Sequence, residues 1–212
     1  MTDSETFVPA QSLLPAEAVA AGLLIVHPTA RVYAGVRLVP TEDNGQNYGP
    51  VTVAAGATLR EGVIMCSGVS IGENSIVGHN VVLRRGVTIG RDTVISHNTT
   101  IERLVQIGDN VRISALTHLT VGCVLEDDVE IGARVVTIND NELRWRRTDQ
   151  VLKPPIFRHG CRVGSGVTVL SGIEVGARTL VGAGAVVTRN LPPDVVAYGV
   201  PAYVQRELEP GE

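Results

Sequence analysis

From Val53 onward every sixth residue is aliphatic: Leu59, Met65, Ile71, Val77, Leu83, Ile89, Ile95, Ile101, Ile107, Ile113, Leu119, Leu125 and Ile131. Four residues after each runs a second column of small or β-branched side chains, among them Ala57, Val63, Val69, Ser75, Thr93, Thr99, Cys123 and Val135. The position directly after the aliphatic residue is often glycine, as at Gly72, Gly78, Gly90, Gly108 and Gly132. A period of six matches neither an α-helix nor a coiled coil. In a strand, alternate residues share a face, so the small residue and the aliphatic residue two positions later both point inward, with a solvent-facing residue between them. Three such hexads close one triangular coil of eighteen residues, and coils stack at about 4.8 Å, the strand spacing of any sheet. The pattern predicts an all-β chain wound as a parallel β-helix, with glycine relieving crowding and tolerating positive φ at the corners.

The same register marks the interruptions. Val26, Val32 and Leu38 open the solenoid, and Glu42–Tyr48 forms a first excursion. The register breaks after Thr137 and resumes at Phe157, which predicts an ejected loop over 139–155, charged, containing Trp145 and ending in Lys153-Pro154-Pro155. Residues 11–24, Ala-rich with Pro15 near their start, predict a short helix over the open end. Leu191-Pro192-Pro193 predicts the end of the last coil, because proline cannot donate to a sheet ladder. The expected organisation is a cap segment 1–24, a solenoid 25–190 and a C-terminal tail 191–212.

Composition narrows what such a chain does. Its 212 residues suit one sizeable domain, and with 44% hydrophobic but 3% aromatic residues the interior is built from Val, Ile, Leu and Ala. That aliphatic content excludes disorder. A formal net charge of -4 gives no basic footprint, so no nucleic acid is expected as partner. The start, Met1-Thr2-Asp3-Ser4-Glu5, is acidic where a signal peptide would be basic, and the apolar run Ala18–Val26 is too short to span a bilayer. Cys66, Cys123 and Cys161 include no CxxC pair and fit reduced thiols in the cytoplasm. Cys123 and Cys161 fall at inward positions and read as packing, while Cys66 lies at a corner with no local sign of activation.

A prism filled with aliphatic side chains leaves its chemistry to outward faces, corners, loops and subunit interfaces. His79 and His97 share one hexad position eighteen residues apart, so they stack at one corner. His118 lies in the next coil, three residues further along, in an outward slot. Each reads either as a general base or as a surface histidine.

The hexad pattern resembles the left-handed β-helix of hexapeptide-repeat acyltransferases. Within it, Val163-Gly164-Ser165, Val181-Gly182-Ala183-Gly184, Val187-Thr188-Arg189 and Pro192-Pro193, followed by Gly199-Val200-Pro201-Ala202, resemble the coenzyme A half of bacterial sugar acetyltransferases. The resemblance covers about 53–206. It implies acetyl-CoA as co-substrate, no metal, no membrane, and a homotrimer with sites in the clefts between subunits. Residue by residue it implies that Ser165 and Ala183 line the pantetheine path. Thr188, Arg189 and Arg206 fall near the adenosine phosphates, where fixed cations pair with phosphate oxygens.

The acceptor side is carried by shorter matches. Ser96-His97-Asn98-Thr99-Thr100-Ile101 resembles a His-acid segment of lipid A and amino-sugar acyltransferases in which the His is the base; Asn98 stands here in place of the acid. Thr137-Ile138-Asn139-Asp140 resembles the opening of the loop in nucleotide-linked amino-sugar N-acetyltransferases, although Ala115 replaces an asparagine of that group. Maltose and galactoside acetyltransferases carry a catalytic His in that area and this chain has none, which favours an amine acceptor, the less demanding of a base. The expected activity is acetyl transfer to an amino sugar, nucleotide-linked by preference, with His118 or His97 as base and Asn139 orienting the acceptor. O-acetylation of a sugar hydroxyl is the alternative. Arg144, Arg146 and Arg147 around Trp145 read equally as a grip on a diphosphate and as a solvated loop. A zinc hydratase of this fold would need a His-x4-His pair, which is absent, and a non-catalytic scaffold has no reason to keep the coenzyme A pattern.

Overall fold

Each hexad forms a strand of two or three residues, and the strands gather into three parallel sheets, the walls of a left-handed prism. The computed structural model describes residues 13–40, 47–143, 151–209 and 211; Arg144, Trp145, Arg146, Arg147 and most of the first excursion lie outside them. The first wall runs from Leu24–Val26 to Glu174–Val175 and the third from Arg37–Val39 to Val186–Val187, eight strands each. The second wall begins at Arg31–Val32 and has ten strands. Register follows the eighteen-residue coil: Thr100 pairs with His118 and Ile101 with Leu119.

Both inward columns are enclosed. Ile101, Ile113 and Leu119 of the aliphatic column have no exposed surface, nor do Ala57, Val63, Thr93 and Thr99 of the small one. The buried hydroxyls are satisfied by the next coil. Thr93 Oγ1 donates to the Gly108 carbonyl at 2.9 Å and accepts from the Val111 N–H at 3.0 Å. Cys123 and Cys161 are fully buried in the small column, and Cys66 is buried as well. Burial pushes the Cys123 thiol far above its ordinary range and the Cys161 thiol up to about 12.

The corners divide between two positions the roles expected of one glycine. The third residue after the aliphatic one takes left-handed φ, and is often Asn or Asp, as at Asn74, Asn80, Asn98, Asn110 and Asp128. The glycine directly after the aliphatic residue has ordinary φ and answers a different constraint. A Cβ on Gly90 would stand 2.5 Å from the Gly108 carbonyl carbon of the next coil.

Both excursions leave the edge between the third and first walls. At the first, the Tyr48 N–H donates to Ser67 Oγ at 3.3 Å. At the second, the ladder shrinks to one pair, His118 with Val136, and side chains take over its missing partners. The Thr120 N–H donates to Thr137 Oγ1 at 2.7 Å, where one coil earlier the Glu102 N–H uses the Leu119 carbonyl. Asn139 Nδ2 donates to the Val121 carbonyl at 3.4 Å. Lys153 closes the corner: its N–H donates to the Asn139 carbonyl at 3.0 Å, and its carbonyl accepts from the Gly172 N–H at 2.7 Å.

The ends differ from expectation. The helix is confined to Pro15–Ala20, its first turn closed by Glu17, whose carboxylate accepts from the Leu14 N–H at 2.9 Å. Beyond the prolines the chain does not leave the prism. Pro192 and Pro193 occupy the corner after Leu191, where the Pro192 carbonyl accepts from Thr179 Oγ1 at 2.6 Å, and Val195–Gly199 then pairs parallel with Leu180–Val181 on the second wall. Ala202–Glu207 returns antiparallel along it, so the tail forms the last layers of that wall.

Gly90→Ala, remote from the candidate site, should cost about 1–3 kcal/mol through backbone overpacking, read by urea unfolding. The thiols give a second check. At pH 8 iodoacetamide should leave Cys123 and Cys161 unlabelled in the native protein and label all three cysteines in denaturant, as counted by mass spectrometry.

Candidate functional site

Coil stacking converts the second residue after each aliphatic position into a straight row along the edge between the second and third walls. From one end it reads Glu61, His79, His97, Ala115, Ala133, Ser165, Ala183. The row's carbonyls accept coil by coil: His79 from the Asn98 N–H at 2.9 Å, His97 from Leu116 at 3.2 Å, Ala133 from Gly166 at 2.8 Å and Ser165 from Gly184 at 2.9 Å. Three residues singled out in the sequence, His97, Ser165 and Ala183, thus share one edge, all exposed. Ser96 Oγ lies 3.2 Å from His97 Nδ1, and Ser165 Oγ accepts from the Ala133 N–H at 3.1 Å.

Beside the lower part of this row, on the second wall, lies an open groove of about 320 Å³. Gly132, Gly164, Gly182 and Ala183 form its margin, and Arg112, Glu130 and Arg162 stand in register across it. The glycines hold that margin low: a Cβ on Gly132 would meet the Ser165 nitrogen at 2.5 Å, and one on Gly164 the Ala183 nitrogen at 2.5 Å.

The upper end of the row contains a pair that local sequence reading passes over. His79 Nε2 is 2.7 Å from Glu61 Oε2, both side chains about half exposed. The acid missing after His97 therefore has a counterpart elsewhere on the edge, one coil above His79. The only signal for it in the sequence is the spacing of eighteen.

The remaining expected residues lie elsewhere. His118 is half-buried in the third wall between Thr100 and Val136, off the edge. Asn139, Thr188 and Arg189 stand on the far edge of that wall, between the third and first walls, and the Asn139 amide is engaged by the Val121 carbonyl. The Arg189 guanidinium lies over the Tyr203 ring, 4.7 Å from its centroid, and Arg206 Nη1 donates to the Glu207 carbonyl at 3.0 Å. Residues expected around one donor thus occupy two edges of one wall. Among the described residues no group of three or more His, Cys, Asp or Glu could hold a metal, and no helix is long and apolar enough to cross a membrane.

Two family models match the chain: the bacterial transferase hexapeptide (six repeats) over 68–103 and the hexapeptide repeat of succinyl-transferase over 159–189. A serine acetyltransferase from Buchnera aphidicola is 34% identical over 88 residues, 42% of this chain and 32% of that protein. The galactoside O-acetyltransferase of Escherichia coli K12 is 46% identical over 46 residues, 22% of this chain and 23% of that protein. The chain thus spans about a third or less of the curated relatives it matches. In fold, it is similar to a UDP-N-acetylglucosamine acyltransferase from Bacteroides fragilis, with a TM-score of 0.60 at 15% identity, over 86% of this chain and 72% of that one. The chain thus carries hexapeptide repeats of the bacterial transferase kind over 68–103 and 159–189, on a three-walled coil with the left-handed β-helix fold.

Proposed function

We propose that the protein transfers an acetyl group from acetyl-CoA to an amino sugar, nucleotide-linked by preference, as a homotrimer in the cytoplasm. One observation carries this reading. Below His97, the row along the edge between the second and third walls holds only Ala115, Ala133, Ser165 and Ala183, and it runs beside an open groove that shares Ala183. That row suits a thin, extended chain lying along the axis, as the pantetheine arm of coenzyme A would, with its thioester directed towards His97. The amine attacks the thioester carbonyl carbon, the C–S bond breaks, the amine's proton passes to the base, and coenzyme A leaves as the thiol once reprotonated. His97 serves as that base in this reading because it shares the donor's edge, which His118 does not. Asn139 is the acceptor-orienting candidate.

The trimer supplies what one copy lacks. From Ile64 to Val186 the outward residues of the third wall are Ile, Val, Thr and His118, with no Asp, Glu, Lys or Arg among them. Three copies packing this wall around a threefold axis would set the Ser165–Ala183 edge of one beside the Asn139–Arg189 edge of the next. A second reading, O-acetylation of a small hydroxyl acceptor, is favoured by the names of the matched serine and galactoside enzymes.

Calorimetric titration with acetyl-CoA tests the donor. Thiol release with a nucleotide-linked amino sugar, L-serine and a methyl galactoside as probes separates the two readings. His97→Ala should lower kcat about 10²-fold or more and leave acetyl-CoA affinity unchanged; undiminished turnover would remove His97 from the reaction. Wild-type protein should sediment as a trimer at micromolar concentration, and Val136→Arg, which puts a charge on the third wall, should yield monomers.

A further inference from the structure

In a chain with few aromatic residues, Tyr48 lies half exposed at the end of the first excursion, on the edge between the third and first walls. Two bare backbone positions seat it. A Cβ on Gly68 would stand 2.5 Å from the Tyr48 Cβ, and one on Gly86, a coil below, 3.4 Å from the ring. Leu104, one coil further, reaches back over Gly86, where its Cδ2 would stand 2.9 Å from that same added Cβ. It does so from left-handed φ, 60°, a strained conformation for leucine that this row gives to glycine at Gly68, Gly86 and Gly122. The buried Arg85 guanidinium lies 5.6 Å from the centroid of the Tyr48 ring. Arg103 repeats the position of Arg85 one coil on. The adjacent Glu102 lies 3.7 Å from Arg84, and among the described residues the Arg103 guanidinium has no ion-pair or hydrogen-bond partner.

Arg103 and His97 belong to one coil and flank its third-wall strand, Thr100–Ile101. Their heights along the prism differ by about a third of the 4.8 Å coil spacing, and a threefold axis parallel to the prism preserves those heights. Packing the third wall on that axis sets Arg103 of one copy opposite His97 of the next, with Tyr48 and Arg85 opposite the Glu61–His79 pair. We infer that this corner, contributed by the neighbouring copy, binds the acceptor, and that the acceptor carries an anionic group, phosphate or carboxylate, close to the atom acylated. The inference rests on the transferase and trimer readings and names the chemical class of the acceptor. An unpaired guanidinium level with the base offers charge-assisted hydrogen bonds to the anion. The Tyr48 ring offers an apolar face to the rest of the acceptor, and the Glu61–His79 pair offers polar atoms to its hydroxyls.

Matched acceptors test the charge: glucosamine 1-phosphate against glucosamine, and L-serine against ethanolamine, the members of each pair differing in the phosphate or the carboxylate. Wild-type protein should favour the anionic member of one pair by about tenfold or more in kcat/KM, and the pair concerned tells phosphate from carboxylate. Arg103→Gln, checked by thermal unfolding and sedimentation, should erase most of that preference by raising KM. Co-expressing His97→Ala and Arg103→Gln subunits then tests whether the site is shared. Each mixed trimer has one junction where an intact His97 meets an intact Arg103, so equal amounts should regain about a quarter of wild-type activity on the favoured anion. Activity no higher than the mean of the two separate variants overturns the shared site, as does a preference that survives Arg103→Gln. A wild-type protein that binds acetyl-CoA but favours neither anionic member overturns the acceptor site alone. One that does not bind acetyl-CoA, or that sediments as a monomer, overturns the readings on which it stands.

Discussion

Every feature of the molecule depends on the hydrogen-bond ladder that fixes each coil directly over the last. Because the register is eighteen residues, two side chains at equivalent positions stand one strand spacing apart, about 4.8 Å, whatever their identity. The ladder turns sequence period into vertical rows, and a row is a rigid object. Asn74 donates to Asp92 and Asn110 to Asp128 along one corner. Arg158 clamps Glu126 at 2.7 Å and Glu174 at 2.8 Å on the coils either side, and holds both carboxyls below the usual carboxylate range. Functional groups placed on such rows are positioned by backbone, without need of a structured loop.

The hexad pattern made the walls, the interior and both excursions legible, because each follows from residues close along the chain. The break after Thr137 is the clearest case: the aliphatic register stops there, and the structure shows Thr137 and Asn139 substituting for ladder partners at that point. What local reading missed lies between coils. The pairing of Glu61 with His79 is invisible to a search for an acid next to a histidine. The crowding that demands Gly90 comes from the backbone of Gly108, not from its own turn. Proline's lack of a donor predicts a stop at Pro192-Pro193, yet the residue after them resumes the bonding between coils, the Asp194 N–H donating to the Ala177 carbonyl at 3.0 Å. Across the second excursion the spacing changes, so that Ala133 meets Ser165 over thirty-two residues and counting by eighteen fails there.

The candidate site inherits this geometry. Stacking within unbroken coils was readable from the period: His79 lies over His97 and Ser165 over Ala183, eighteen residues apart, whereas the alignment of His97 with Ser165 crosses the second excursion and appears only in the structure. Position around the axis was not readable, since Thr188 and Arg189 are close to Ala183 in sequence yet lie past the third wall. A short strand carries the chain across a whole face of the prism, so sequence proximity and spatial proximity part company at every corner.

That separation limits how a single extended ligand can be held. The third wall lies between the two edges, and its inward columns are full, so no ligand passes through it. Two routes remain around it: across the end of the prism, over the terminal hairpin, or by way of a neighbouring copy packed on the same wall. Both are compatible, because the terminal hairpin extends the second wall and leaves the outward residues of the third untouched. Both routes answer one constraint: the interior of this fold has no room for a ligand, so whatever it binds must be held from outside the walls.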